Sequence, residues 1–274
     1  MSTATKTGPG ETAPARAAGP TTTGRGRMTA LARAELTLLL RSKGTLFAAL
    51  VVPLVLPFSF RSALDGVDLK GTGLSLGTVL LPTALGLSLV FAVYTSLTTI
   101  FVARREELVL KRLRTGEVRD HEILAGTAVP PLLIAVVQCV VLVAACMALL
   151  NTGSPAAAHL TVVGLLLGMV ITTALAALTA ALSRTAETAA VMSMPFLMIS
   201  LAGSGMVMPL EVMPDKLAAV CQILPLTPVM TLIRGGWTGL LSGAETAGAL
   251  AAALAWAAVA AFAVRRWFRW EPRH

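Results

Sequence analysis

Two stretches decide what this chain can be: residues 125–150 and 159–182 run without one Asp, Glu, Lys or Arg. At 1.5 Å per residue, a helix of either length exceeds the ~30 Å hydrocarbon core of a bilayer. A soluble helix would break such a run with a polar face. Composition agrees, since 55% of the 274 residues are hydrophobic and 13% are charged, with mean hydropathy +0.79. Soluble domains carry about 25% charged residues. Lipid is therefore the expected solvent. There the backbone must satisfy its own hydrogen bonds, so the fold class is all-α.

Six spans are predicted against the ~20 apolar residues that a crossing needs. They lie at about 45–64, 76–102, 125–150, 159–182, 188–208 and 246–264. The first is interrupted by Pro53, Pro57 and Arg61, which predicts a kink and an arginine that snorkels outward. The second is long enough to tilt or to project beyond the bilayer. Residues 209–242 are too apolar for an ordinary loop, yet Pro209, Pro214, Pro225 and Pro228 divide them. Short apolar segments between prolines suggest a re-entrant hairpin; a pair of helices on the outer surface is the alternative.

Ahead of the spans, residues 1–27 are rich in Thr, Ala, Gly and Pro and read as a disordered tail. They lack the apolar centre of a signal peptide. Between 27 and 43, Arg33, Thr37 and Arg41 recur every four residues opposite Leu31, Leu36, Leu38, Leu39 and Leu40. This predicts an amphipathic helix along the membrane surface. Glu35 falls inside the apolar arc, so an extension of the next helix stays open.

Charge placement sets orientation. Eighteen of the 22 Lys and Arg residues fall at the two ends, in the loop after the second span and at Arg184. Only Arg61, Lys70, Lys216 and Arg234 fall on the other side. The positive-inside rule then places both termini in the cytoplasm, which an even number of spans satisfies. The same distribution accounts for the net charge of +8 without nucleic acid, because no basic stripe carries interleaved aromatics.

Catalytic constellations are missing. There is no G-x-x-x-x-G-K-[ST] for ATP, and His121, His159 and His274 all lie away from the span centres. Glu106-Glu107 loosely resembles an intramembrane protease pair, but it lies in a charged loop without buried histidines. The second, third and fourth spans hold no ionisable group between their ends, and Gln138 is the one strongly polar side chain of the third. Ion coupling would need such groups. An energy source on another polypeptide is expected. Cys139, Cys146 and Cys221 read as buried thiols, with no metal spacing. The methionines at 192, 194, 198, 206, 208 and 213 suggest flexible apolar packing rather than soft-metal binding. Gly164 and Gly168 form a G-x-x-x-G, continued by Thr172, that lets a helix approach closely, within the chain or from another copy.

The loop at residues 103–122 is dense in charge. Glu106-Glu107 precedes Lys111-Arg112-Leu113-Arg114, and Glu107 stands four residues before Lys111, which favours a helix. Gly116 ends it. A cationic helix fixed between two spans suits docking of a soluble partner; a solvated charged face is the plainer reading.

With these features in order, the chain resembles the membrane-spanning permease of an ABC-2-type exporter, close to the drug and antibiotic efflux permeases of actinobacteria, over about residues 28–270. The carriers are Glu106 to Arg114, Glu122-Ile123-Leu124-Ala125-Gly126, and Met208-Pro209-Leu210 through Leu224-Pro225-Leu226-Thr227-Pro228 to Arg234. Leu108-Val109 departs from the Gly-Thr that the family often has there. The resemblance implies two permease copies and two cytoplasmic ATPase subunits, which use ATP and Mg while this chain binds no cofactor. It assigns coupling to Glu106, Glu107, Lys111, Arg112, Leu113 and Arg114, with Arg33 and Arg41 on the surface helix. It assigns an outer gate to the hairpin of Pro209, Pro214, Pro225, Pro228 and Arg234. The third and fourth spans lack Phe, Tyr and Trp, which argues against a sugar channel. A small amphiphilic or hydrophobic compound fits better. Export of a lipid-linked molecule or peptide is the runner-up, and a non-transporting membrane scaffold the reading from another class.

Overall fold

A computed structural model describes residues 76–106, 120–150, 152–206, 210 and 213–267, with single helical positions at Gly26, Thr29, Arg33, Thr37, Arg41, Val55 and Ser59. In chain order these residues form α1 (Leu76–Ser88), a π-helix (Leu89–Thr95), α2 (Ser96–Glu106), α3 (Asp120–Leu150), α4 (Ala158–Leu182), α5 (Ala186–Gly203), α6 (Asp215–Cys221), α7 (Thr227–Thr238) and α8 (Gly243–Trp267). No strand occurs among the described residues. Five stretches are long and apolar enough to cross a membrane: Gly77–Glu106, Ile123–Ala148, Ala158–Leu182, Ala186–Gly203 and Gly243–Trp267. These correspond to the second through sixth predicted spans. The first, at 45–64, lies outside the described residues apart from Val55 and Ser59, and so does the tail at 1–27 apart from Gly26.

Gly77–Glu106 is the axis of the bundle. Leu81, Leu85, Leu89, Val93, Leu97 and Phe101 are all buried, and its most apolar window is 72% buried against 22% for the last helix. A helix enclosed on all sides needs apolar residues around its full circumference, which this sequence supplies. The outer helices bury one stripe each. In α8 that stripe is Ala249, Ala253, Ala260 and Ala263, small residues on one face that allow close packing on α4. Their opposite faces expose Val137, Val140, Leu166, Val170, Leu254 and Phe262. Apolar exposure on that scale is what lipid covers.

The axis is not uniformly α-helical. Through Leu89–Thr95 it widens to a π-helix, and Thr95 Oγ1 (2.7 Å) and Ser96 Oγ (3.1 Å) both donate to the carbonyl of Phe91. Side-chain hydroxyls thus satisfy backbone that the wider winding leaves short of partners. Hydropathy carries no trace of this change.

The fifth predicted span, 188–208, is a helix only as far as Gly203. Ser204 to Met206 follow as irregular chain, with Gly205 at φ +72°, a conformation that glycine alone adopts without strain. Met206 extends the hydropathy without extending the helix. The last span starts earlier than predicted, at Gly243, because Ser242 and Glu245 cap it: Glu245 N donates to Ser242 Oγ (3.2 Å) and Ser242 N to Glu245 Oε2 (2.9 Å).

Candidate functional site

Of the predicted coupling residues, Glu106 lies at the end of the bundle where α2 and α4 finish and α5 begins. Arg105 stands in the last turn of α2 and is fully buried, at 2% exposure. Its guanidinium donates through Nη1 to the carbonyl of Ala180 (2.9 Å) and through Nη2 to that of Ser183 (2.5 Å). These carbonyls belong to the last turn and C-cap of α4, which has no basic residue of its own in that turn. A helix C-terminus presents unpaired carbonyls and partial negative charge, and Arg105 answers both from a neighbouring helix.

Glu106, the next residue, is exposed, and its Oε2 accepts from Ala186 N at 3.4 Å. Ala186 opens α5, so the carboxylate meets the positive end of a second helix dipole. Thr185 caps that helix in a reciprocal box with Thr188: Thr188 N donates to Thr185 Oγ1 (3.2 Å) and Thr185 N to Thr188 Oγ1 (2.8 Å). The α4–α5 elbow is therefore a short turn closed by its own side chains. An open cavity of about 520 Å³ lies beside it, bounded by Leu182, Arg184, Glu187 and Met192.

Of the other predicted coupling residues, Arg33 and Arg41 are helical and exposed, with Thr37 Oγ1 donating to the Arg33 carbonyl (2.8 Å) one turn back. Glu107, Lys111, Arg112, Leu113 and Arg114 lie outside the described residues. Arg105 was missed as a functional residue because its neighbours Arg104 and Glu106 make it read as one more loop charge. Its partners come 75 and 78 positions later in the chain.

The opposite half is organised by α7. Pro228 is buried in its first turn, where the lost N–H has no helical partner to lose. From Thr227 to Trp237 nearly every residue is buried, against α4, α8 and α1. Gly164 and Gly168 set the approach. A Cβ on Gly164 would lie 3.0 Å from Ile233 and 3.1 Å from Leu232; one on Gly168 would lie 2.6 Å from Leu89 and 2.9 Å from Val229. The two glycines thus face elements of the same chain. Gly236 in turn meets Thr161 and Ala157. Descending numbers in α7 against ascending numbers in α4 make the two helices antiparallel, and α7 begins level with the middle of α4.

Arg234 of α7, largely buried, donates through Nη2 to the carbonyl of Gly205, in the irregular chain after α5. Thr83 donates to the next carbonyl, Met206. The turn between α6 and α7 is held at mid-height of α8, since Trp256 Nε1 donates to the Ile223 carbonyl (3.2 Å). Pro214 N-caps α6 and is exposed, and Pro225 lies in the turn before α7. Pro209 lies outside the described residues.

Between these ends the polar contacts are neutral. Ser88 Oγ donates to Gln138 Oε1 (3.1 Å), and Tyr94 shares a hydrogen bond with Thr179 (3.0 Å) while its ring lies 4.4 Å from that of Phe196. Among the described residues no group of three or more His, Cys, Asp or Glu could hold a metal ion.

No curated protein sequence matches the chain. The family model for the ABC-2 type transporter matches residues 27–237, from the Arg33–Arg41 stretch through the end of the buried α7. That match covers most of the chain, and with five described helices long and apolar enough to cross a membrane, this chain belongs to the ABC-2 type transporter family, as a permease subunit of an ABC transporter.

Proposed function

We propose that this permease exports a small hydrophobic or amphiphilic compound, of drug or antibiotic type, across the plasma membrane of a bacterium. Two copies form a homodimer, and two cytoplasmic ATPase subunits hydrolyse ATP with Mg beneath them. Both termini and the end bearing Arg105 and Glu106 face the cytoplasm, with a sixth span at 45–64. The carrying observation is the junction of α2 with the α4–α5 elbow, from whose Glu106 the cationic loop at 107–119 continues directly. An ATPase that docks on Lys111, Arg112 and Arg114, and on the surface helix of Arg33 and Arg41, pulls there on three helices.

On this reading α6 and α7 form a re-entrant hairpin whose tip stops at mid-depth, beside Trp256 and Gly168. Its buried helix closes the outer side, and Arg234 fastens it to the end of α5. The lack of aromatic rings in α3 and α4 favours a small amphiphile over a sugar polymer.

Co-expression with its ABC ATPase partner tests this reading. The purified pair is expected to hydrolyse ATP, the permease alone is not, and cells lacking the permease should retain more of a lipophilic dye. Hydrolysis by the isolated permease, or equal dye retention, would refute it.

A further inference from the structure

We propose that Arg105 and Glu106 form a clasp, matched to two opposed helix dipoles, that makes α2, α4 and α5 move as one body. The proposal rests on the coupling role given to this end above and adds how motion passes beyond α2. Three observations carry it. First, Arg105 is fully buried, and the desolvation of its charge is offset by the bonds that Nη1 and Nη2 make inside the bundle. Its bonds to the Ala180 and Ser183 carbonyls grip the last turn of α4 and the C-cap at once, which fixes the plane of the fork. Second, the adjacent carboxylate meets the first N–H of α5, so two neighbouring residues of opposite charge engage the two helix ends that attract them. Third, the Thr185–Thr188 box fixes the first turn of α5, and Arg184 N, in the chain that leads from α4, donates to the same Thr188 Oγ1 (3.2 Å).

The consequence is mechanical. In the sequence, the cationic segment 107–119 follows directly after the clasp. A displacement of that loop cannot carry α2 without also carrying the elbow, and with it both helices that the elbow joins. Arg105 is thus a positioning residue. It acts on no substrate.

Packing alone is separable from clasping. Arg105→Met keeps the apolar stem but donates nothing, whereas Arg105→Lys keeps a cation with a single ammonium in place of the fork. Thr99 on α2 and Glu187 on α5 are both exposed, and Cys139, Cys146 and Cys221 are buried, so spin labels can be placed at 99 and 187. The permease–ATPase complex in lipid nanodiscs is measured without nucleotide and after trapping with ATP and vanadate. The wild type should show one narrow intra-subunit distance, the same in both states, and Arg105→Lys should fall between it and Arg105→Met. Arg105→Met should lose it on trapping, with a broad or second distance instead. A complex that hydrolyses no ATP overturns the coupling role and the clasp together. A hydrolysing complex in which Arg105→Met keeps the wild-type distance in both states overturns the clasp alone. Should Arg105→Met fail to assemble, Glu106→Gln at the exposed rim must broaden the distance to a lesser degree, and a wild-type distance there overturns the clasp as well.

Discussion

Two buried arginines hold the two halves of this bundle, and they hold different things. Arg105 spends its fork on two carbonyls at the end of α4, next to an elbow that is already capped. Arg234 reaches the carbonyl of Gly205, in chain that has left the helix, from a helix that starts halfway along its neighbour. The first fastens regular structure to regular structure. The second fastens an irregular segment to a short helix, with glycines rather than charges setting the fit. In apolar surroundings a carbonyl outside regular structure still requires a partner, and one long cationic side chain can supply it in either setting. The difference lies in what remains once the arginine is removed: paired helices at one end, loose chain at the other.

That contrast can be broken in order of expected effect. Gly236→Ala should do most harm, because its Cβ would lie 2.5 Å from Thr161 Oγ1, 2.6 Å from Thr161 N and 2.9 Å from the Ala157 carbonyl, and backbone cannot step aside. A loss of about 3 kcal/mol or more, read as a fall in thermal midpoint and in folded yield from detergent, is expected. Arg105→Met comes next, since it strips two carbonyls at about 1–3 kcal/mol each when they are left unpaired. Arg234→Met should cost less, because the irregular chain whose Gly205 carbonyl it leaves is still held by Thr83 at the next carbonyl, Met206. Equal losses for the two arginines would break the comparison. Gly86→Ala should matter least, at about 1 kcal/mol or less, although its Cβ would lie 2.8 Å from Met230 Sδ and 3.1 Å from Met206 Cγ. Those neighbours are pliable thioether side chains, which is what separates this glycine from Gly236.

The long apolar helices were legible in the sequence because burial in lipid requires length and hydropathy, and both are written residue by residue. Their ends were legible only where the chemistry is local. Ser242 and Glu245 would have announced the start of α8 as a capping pair, whereas Met206 concealed the end of α5 by being apolar past the helix. The π-helix left no signal, since it changes the winding and not the composition. Glu106 was singled out within a charged loop, but the burial of Arg105 depends on an α4 terminus that lies far along the chain. Gly164 and Gly168 showed that something approaches closely; that α7 and the π-helix are what approach is a matter of tertiary structure alone.

Sidedness is the most direct test of the claim that the clasped end faces an ATPase. Single cysteines at Ser154 and Lys216, and at Arg112 and Arg184, are exposed to a membrane-impermeant maleimide in intact cells and in inside-out vesicles. Positions 154 and 216 should label in cells, and 112 and 184 only in inverted vesicles. The reverse pattern would contradict it, because the Arg105–Glu106 clasp would then face away from every source of ATP.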